Sequence, residues 1–348
     1  MTQLPAKFVD IVPLVPGQNA SVFRAKNSFL NRPAFLKIYP IPEGDPHSAL
    51  REPQLLQSLS HPNLATIHSA DALRDNRLLL EMELIDGGSL KELIDSATTH
   101  GSWPSIHEAL DYTSDLARGL SEMHNARLVH RDIKPANVML RNGTGRKQAV
   151  VTDLGLASTL DDSGRSFASR HSRLYRPPEV WEGNGYSQAS DIYQAGIVLF
   201  QMIGGKMPYS QGDLDDDELS HLICTQALLD LSDIGPHVDP SLRRVLTQCI
   251  CPEASRFTRM TDLINAIAAC RGGHFDWSYT LAPDGFILAR ETNGRRYEVQ
   301  VCSDGNRHSV SGKKRIGGGQ PRRFFPDEMI DHGSLGRSQA FRSLLRKT

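Results

Sequence analysis

No run of uncharged apolar residues in the chain approaches the ~18 that a membrane-spanning helix needs. The opening MTQLPAKFVD lacks the apolar core of a secretory signal. The expectation is a cytoplasmic protein with no membrane partner. Cysteine is scarce: five in 348 residues, at positions 224, 249, 251, 270 and 302. Odd in number and scattered, they make no disulfide framework and are expected as reduced thiols. Cys249-Ile-Cys251 has no second pair, which excludes a four-ligand zinc site built on it. Repeats of solenoid length are missing. Net charge is nearly absent too, at −1, but it is unevenly spread: 14 Lys+Arg face 8 Asp+Glu from Arg271 onward. A mildly acidic body therefore carries a basic tail. With 39% hydrophobic and 23% charged residues the chain is ordinary globular material.

Three regions differ in pattern. ASVFRAK and AFLKIY are strand-like runs around a turn at NSFLNR. SALREPQLLQSLS has helical spacing, and ATIHSADALRDNRLLLEMEL reads as two more strands about RDN. From Ser89 to about Arg271 helices dominate. SIHEALDYTSDLARGLSEMHN carries Ile106, Ala109, Leu110, Leu116, Ala117, Leu120 and Met123 on one side. ASDIYQAGIVLFQMIGG is apolar nearly all round, the signature of a buried helix, and stops at paired glycines. After Gly273, short β runs alternate with Asn293-Gly294 and Asp304-Gly305, strong hairpin signals. The spacing predicts an antiparallel meander of three or four strands, then SGKKRIGGGQPRR as a basic glycine-rich loop and a terminal helix or tail.

The chemistry concentrates in LVHRDIKPANVML, residues 128–140, where polar residues sit between two apolar runs. Such runs anchor a loop and leave its polar residues as a site. Asp132 can accept a proton from an alcohol, Lys134 can neutralise a transferring phosphoryl group, and Asn137 can fold back to hold a cation. Sixteen residues after Asn137 a β-branched strand ends in Asp153-Leu154-Gly155. Gly155 permits a sharp turn that exposes Asp153 to a metal.

HRDIKPAN followed by DLG resembles the catalytic and metal-binding loops of the eukaryotic-type Ser/Thr protein kinases, bacterial in style with a C-terminal extension. The resemblance runs over about residues 8–271. It implies an α+β bilobal protein-kinase fold, with a β-rich N-lobe over 1–85, a hinge at about 83–88 and a helical C-lobe over 89–272; residues 273–348 are left as a small antiparallel β-rich module. It implies that Lys37 holds the ATP phosphates, paired with Glu52, and that Asp132 and Lys134 serve the transfer. Asn137 and Asp153 would hold Mg2+. Gly17, Val22, Met82 as gatekeeper, Glu83, Ile85 and Met139 would surround the nucleotide. Glu179 would pair with Arg256, and Asp191 would brace the catalytic loop. Lysine at 134 resembles serine/threonine rather than tyrosine kinases, so the substrate would be a protein Ser/Thr hydroxyl.

Three places depart from the family pattern. In LVPGQNASVF only Gly17 stands where three glycines usually cradle phosphate; Val15 and Ala20 replace the others. Phe35 stands where a small residue usually roofs the adenine, unless the register shifts and puts Ala34 there. Pro53 follows Glu52 inside the expected regulatory helix, a position proline tolerates only in a first turn. A non-catalytic pseudokinase scaffold is the rival reading. Between Asp153 and Glu179 lie Thr159, Ser163, Ser166, Ser169 and Ser172. Activation by phosphorylation is expected at Ser166 or Ser169, with Arg131 available to pair with a phosphate. Ser172 is expected beside Asp132 and Lys134. In the tail, Lys313-Lys314-Arg315 and Arg322-Arg323 read either as a solvated loop or as contacts to a regulatory partner or nucleic acid, with Phe324 and Phe325 either stacking on bases or anchoring the loop.

Overall fold

A computed structural model describes residues 4–15, 20–41, 57, 59–74, 76–167, 172–207, 214–225, 229, 231, 234, 235, 237–270, 277–304, 307–331, 341 and 345. Gly17, Glu52, Pro53, Ser169 and almost all of the helical-spacing segment around 48–60 lie outside these residues.

Strands β1 (Phe8–Pro13), β2 (Ser21–Asn27), β3 (Arg32–Pro40), β4 (Ile67–Leu73) and β5 (Arg77–Met82) form one antiparallel sheet in the order β1-β2-β3-β5-β4. Its two faces follow from the period-two alternation of β3. Ala34, Leu36 and Ile38 are buried with Phe8, Ala25 and Leu79 in a small core on one side. Phe35, Lys37 and Tyr39 point to the other side, where Phe35 and Tyr39 pack on the main core. Phe35 therefore shares the face of Lys37, and the shifted register with Ala34 in that place does not occur.

Helices build the next region: α1 (Leu90–His100), α2 (Ile106–Asn125), α3 (Pro178–Trp181), α4 (Gln188–Met202), α5 (Asp216–Cys224), α6 (Pro240–Ile250) and α7 (Met260–Cys270). Helix α1 starts at Ser89 and α2 at Ser105, each with a capping box closed by Glu92 or Glu108. The seven apolar residues anticipated on one side of α2 are all buried. Helix α4 is buried along nearly its whole length, as its composition requires. Two small ribbons carry the loops of interest: β7 (Leu128–Val129) with β10 (Ser158–Thr159), and β8 (Val138–Arg141) with β9 (Gln148–Val151).

The tail is a five-stranded meander, β11 (Ser278–Ala282), β12 (Gly285–Thr292), β13 (Arg295–Asp304), β14 (Arg307–Ile316) and β15 (Arg322–Asp331). The sequence pattern pointed to three or four strands followed by a basic loop. The correction has a physical cause: Lys313–Ile316 and Arg322-Arg323 complete backbone ladders, leaving only 317–321 as the turn. Ladder pairing overrides a composition that looks loop-like. The meander has its own core of Trp277, Leu288, Val299, Val301, Val310, Phe341 and Leu345.

This sheet gains a sixth strand from the helical region. Strand β6 (Ser102–Trp103), between α1 and α2, pairs with β11 through Tyr279↔Trp103 and Thr280↔Ser102. The Tyr279 ring lies 5.6 Å from Trp103 and stacks on His237 at 4.9 Å. Aromatic pairs of this kind contribute about 0.5–1.5 kcal/mol each beyond their burial. Tyr279→Leu is expected to cost about 1–2 kcal/mol and to make the tail the first region cut in limited proteolysis. An unchanged cleavage order would show that the tail does not depend on this seam.

Candidate active site

Residues 130–137 cross between β7 and β8, whose Leu128, Val129, Val138 and Leu140 are almost wholly buried. The loop's backbone is held from below by α4. Asp191, 0% exposed, accepts the N–H groups of His130 and Arg131 at 2.9 Å each, and Nε2 of His124 lies 2.8 Å from its Oδ2. One turn further along, Gln194 accepts the N–H of Ile133 and donates to the carbonyl of Arg131, both at 3.0 Å. These bonds fix a backbone that includes Arg131 at φ 70°, a conformation non-glycine residues seldom hold unaided. Burial alone would raise the Asp191 carboxyl; the His124 hydrogen bond and the nearby charges and amides outweigh it and hold the group below the ordinary carboxylate range.

On this braced loop the polar side chains converge. Asp132 is 4% exposed. Its Oδ2 accepts from Lys134 Nζ at 2.8 Å and from Asn137 Nδ2 at 2.9 Å. Its Oδ1 accepts from Ser172 Oγ at 2.5 Å, and Lys134 Nζ also donates to Ser172 at 2.7 Å. Ser172 thus sits where the sequence placed it, closing a four-residue network. Asn137 spends both donor directions on Asp132, the second to its carbonyl at 2.8 Å. That leaves the Asn137 amide oxygen as its cation-competent atom.

Asp153 follows β9 in a left-handed conformation, φ 56° and ψ 57°. Its neighbour Thr152 ties this turn to the catalytic loop: the Thr152 N–H donates to the Asn137 carbonyl at 2.9 Å, and the Thr152 carbonyl lies 3.0 Å from His130 Nε2. The Asp153 side chain remains 43% exposed and forms an ion pair with Lys37 from β3. Partial burial opposes its ionisation, but the charge and hydrogen bond of Lys37, with His130 and Lys134 behind it, hold the carboxyl below its ordinary range. Lys37 and Asp153 thereby meet across the space between the sheet and the helices.

Of the residues expected around a nucleotide, Val22, Met82, Glu83, Ile85 and Met139 are described. Val22 is directly opposite Lys37 in the β2–β3 ladder, and Phe35 is opposite Met82 in β3–β5. Ile85 and Met82 belong to the main core, and half-buried Met139 packs against it. The segment after β5 is clamped by a contact that local sequence did not suggest: Arg141 donates to Glu83 through two nitrogens, at 2.9 and 2.8 Å. Gln194, His124 and Thr152 were also missed. Gln194 alone had a signal, a polar residue three positions after Asp191 on a largely apolar helix.

An expected phosphorylation site fares differently. Ser166 is 6% exposed, exchanges two backbone hydrogen bonds with Tyr186 and meets Ser158 Oγ at 2.5 Å. Its hydroxyl is therefore inaccessible to a kinase in this conformation. Thr159 is exposed, and Ser163 is exposed in a turn closed by Asp161. The segment ends on a buried bidentate pair, Arg256 with Glu179 at 2.7 and 3.1 Å.

Hard oxygen donors define what could bind here. A half-exposed carboxylate and an amide oxygen beside a lysine suit a small divalent cation that keeps waters and takes phosphate oxygens as its other ligands, the habit of Mg2+.

Comparison with known proteins agrees with this geometry. The family model described as protein kinase domain matches residues 10–267. A serine/threonine-protein kinase of Mycobacterium tuberculosis, PknJ, is 32% identical over 166 residues, 47% of this chain and 27% of that protein. PkaA of Streptomyces coelicolor, also a serine/threonine-protein kinase, is 35% identical over 166 residues, 47% of this chain and 30% of its own length. Cyclin-dependent kinase 17 of Caenorhabditis elegans is 34% identical over 201 residues, 56% of this chain and 29% of its own length. The matched region thus spans less than a third of each of these relatives. Among the described residues no helix is long and apolar enough to cross a membrane. With the family model covering the greater part of its length, the chain belongs to the protein kinase family.

Proposed function

We propose that the chain is a catalytically competent serine/threonine protein kinase that transfers the γ-phosphoryl group of ATP to a protein hydroxyl. The observation that carries this reading is the joining of Asp132, Lys134, Asn137 and Ser172 in one network opposite the Lys37–Asp153 pair. Asp132 orients the acceptor hydroxyl and takes its proton as the new O–P bond forms. The bond from the γ-phosphorus to the β–γ bridging oxygen breaks, and its electrons leave with ADP. Lys134 offsets charge on the transferring group, and Lys37 holds the α- and β-phosphates. Val22, Met82, Glu83, Ile85 and Met139 enclose the base. Asn137 and Asp153 would hold Mg2+, which when bound neutralises phosphate charge. Gly17 and Glu52, assigned to phosphate cover and to Lys37, lie outside the described residues.

The Ser/Thr preference is supported by Lys134, which bridges Asp132 and Ser172, and by the names of the two bacterial relatives. A cytoplasmic setting is supported by five unpaired cysteines. The test is incubation of the full chain with radiolabelled ATP, Mg2+ and a mixed protein extract, followed by phosphoamino-acid analysis. Phosphoserine and phosphothreonine are expected. Labelled tyrosine alone would overturn the acceptor class, and no transfer at all would leave the scaffold reading.

A further inference from the structure

The free end of the tail sheet carries a charge arrangement that its own folding does not favour. Across β13 and β14, Arg296 lies directly opposite Arg315; across β14 and β15, Lys313 lies opposite Arg323 and Lys314 opposite Arg322. Like charges in directly opposed positions destabilise a sheet. With Arg295, seven cations occupy neighbouring positions on three adjacent strands, and all but Lys314 are exposed; Arg296, Lys313, Arg315 and Arg323 share one face, where Glu291 faces Arg296 and Glu298 faces Lys313, and the other three share the opposite face. Two are partly neutralised, Arg296 by Glu298 at 4.0 Å and Arg323 by Asp327 at 3.0 Å. Among the described residues Lys313, Lys314, Arg315 and Arg322 carry no ion pair.

The shape matters as much as the charge. The β14–β15 ribbon ends in the turn 317–321, which begins with three glycines. A Cβ added at Gly317 or Gly318 would meet nothing within 4 Å, and the preceding Ile316 is 59% exposed. Beside it runs the β12–β13 turn, joined by the Gly317 N–H to the Gly294 carbonyl at 3.2 Å. The result is a basic sheet end, four strands wide and closed by two turns side by side, long enough to lie along several successive phosphates of a duplex backbone. Half-buried Phe324 packs edge-on against buried Tyr297, with ring centroids 5.5 Å apart, a contact that fits its reading as an anchor. The Phe325 side chain lies outside the described residues.

We propose that this sheet end binds duplex nucleic acid through its phosphates, without reading base identity. An acidic polypeptide fits less well. It would add along the outer strand β15, whose far half presents Asp327, Glu328 and Asp331. The cations are instead clustered at one end across three strands, where the closely spaced charges of a duplex backbone can meet several at once.

The experiment uses the full chain and a fluorescein-labelled 20-base-pair duplex, as DNA and as RNA in separate arms, read by anisotropy over a salt series. The two arms identify which duplex is preferred. Binding is expected to weaken steeply with salt, with a log–log slope of about −4, as for four or five neutralised phosphates. Replacing Lys313, Lys314, Arg315, Arg322 and Arg323 together by Ala should lower affinity at least ~30-fold at low salt and bring the slope near −1. The same variant should melt close to the parent, because the like-charge oppositions it removes offset the lost Arg323–Asp327 pair and the loss of Lys313 opposite Glu298. If that variant fails to fold, Lys313→Gln with Arg315→Gln carries the same comparison, with a loss of roughly 5-fold. No binding by either duplex, or equal binding by the variants, overturns the proposal. Displacement of the duplex by polyglutamate at equal charge concentration would assign the surface to an acidic polypeptide instead.

Discussion

Asp153→Asn is expected to reduce phosphoryl transfer by at least ~1,000-fold while leaving the fold intact. The substitution keeps the size of the side chain and removes its charge. In the native protein that charge is poised: Asp153 is held ionised by Lys37 and remains 43% exposed toward the cleft. A neutral amide would coordinate a divalent cation weakly and would leave Lys37 without its partner. Transfer rates measured across a Mg2+ titration check this, because excess metal should recover only part of the loss. Retention of more than about a tenth of the rate would mean that the cation is held elsewhere. The left-handed backbone at Asp153 also predicts tolerance of Asn, which visits that conformation more readily than most residues.

The second large effect is on stability. Asp191→Ala is expected to cost about 3–5 kcal/mol, since it strands two buried backbone N–H groups and the buried His124 ring. Urea unfolding checks it: the midpoint should fall with little change in slope. The pH dependence supplies an independent readout. The folded carboxyl lies below its unfolded value of about 3.9. Its contribution is therefore complete above that pH and is lost as pH falls through the lower folded value. The difference between wild type and variant should narrow below about pH 4. A difference independent of pH would locate the stabilisation in packing rather than in the ionised carboxylate.

Much of the cleft could be read from short stretches because its chemistry is locally written. Asp132, Lys134 and Asn137 lie within six residues of one another, and their flanking strands are marked by apolar runs. The apolar face of α2 is equally local, since its spacing alone marks Ile106, Ala109, Leu110, Leu116, Ala117, Leu120 and Met123 for burial. Other features depend on partners distant in the chain. The orientation of Phe35 is set by the β3–β5 ladder, and the clamp on Glu83 comes from Arg141, 58 residues away. The burial of Ser166 follows from its bridge to Tyr186, and a run of lysine, arginine and glycine became two paired strands once neighbouring strands were present.

Sequence by itself determined the kinds of chemistry available and the periodicity that divides strands from helices, because both reside in neighbouring residues. Tertiary structure alone decided which side of β3 faces the cleft, how Asp191 and Gln194 hold a loop some 60 residues away, and that the tail extends its sheet onto Ser102–Trp103. Those outcomes rest on hydrogen bonds and packing between distant segments, whose free energy is gained only when the chain closes on itself.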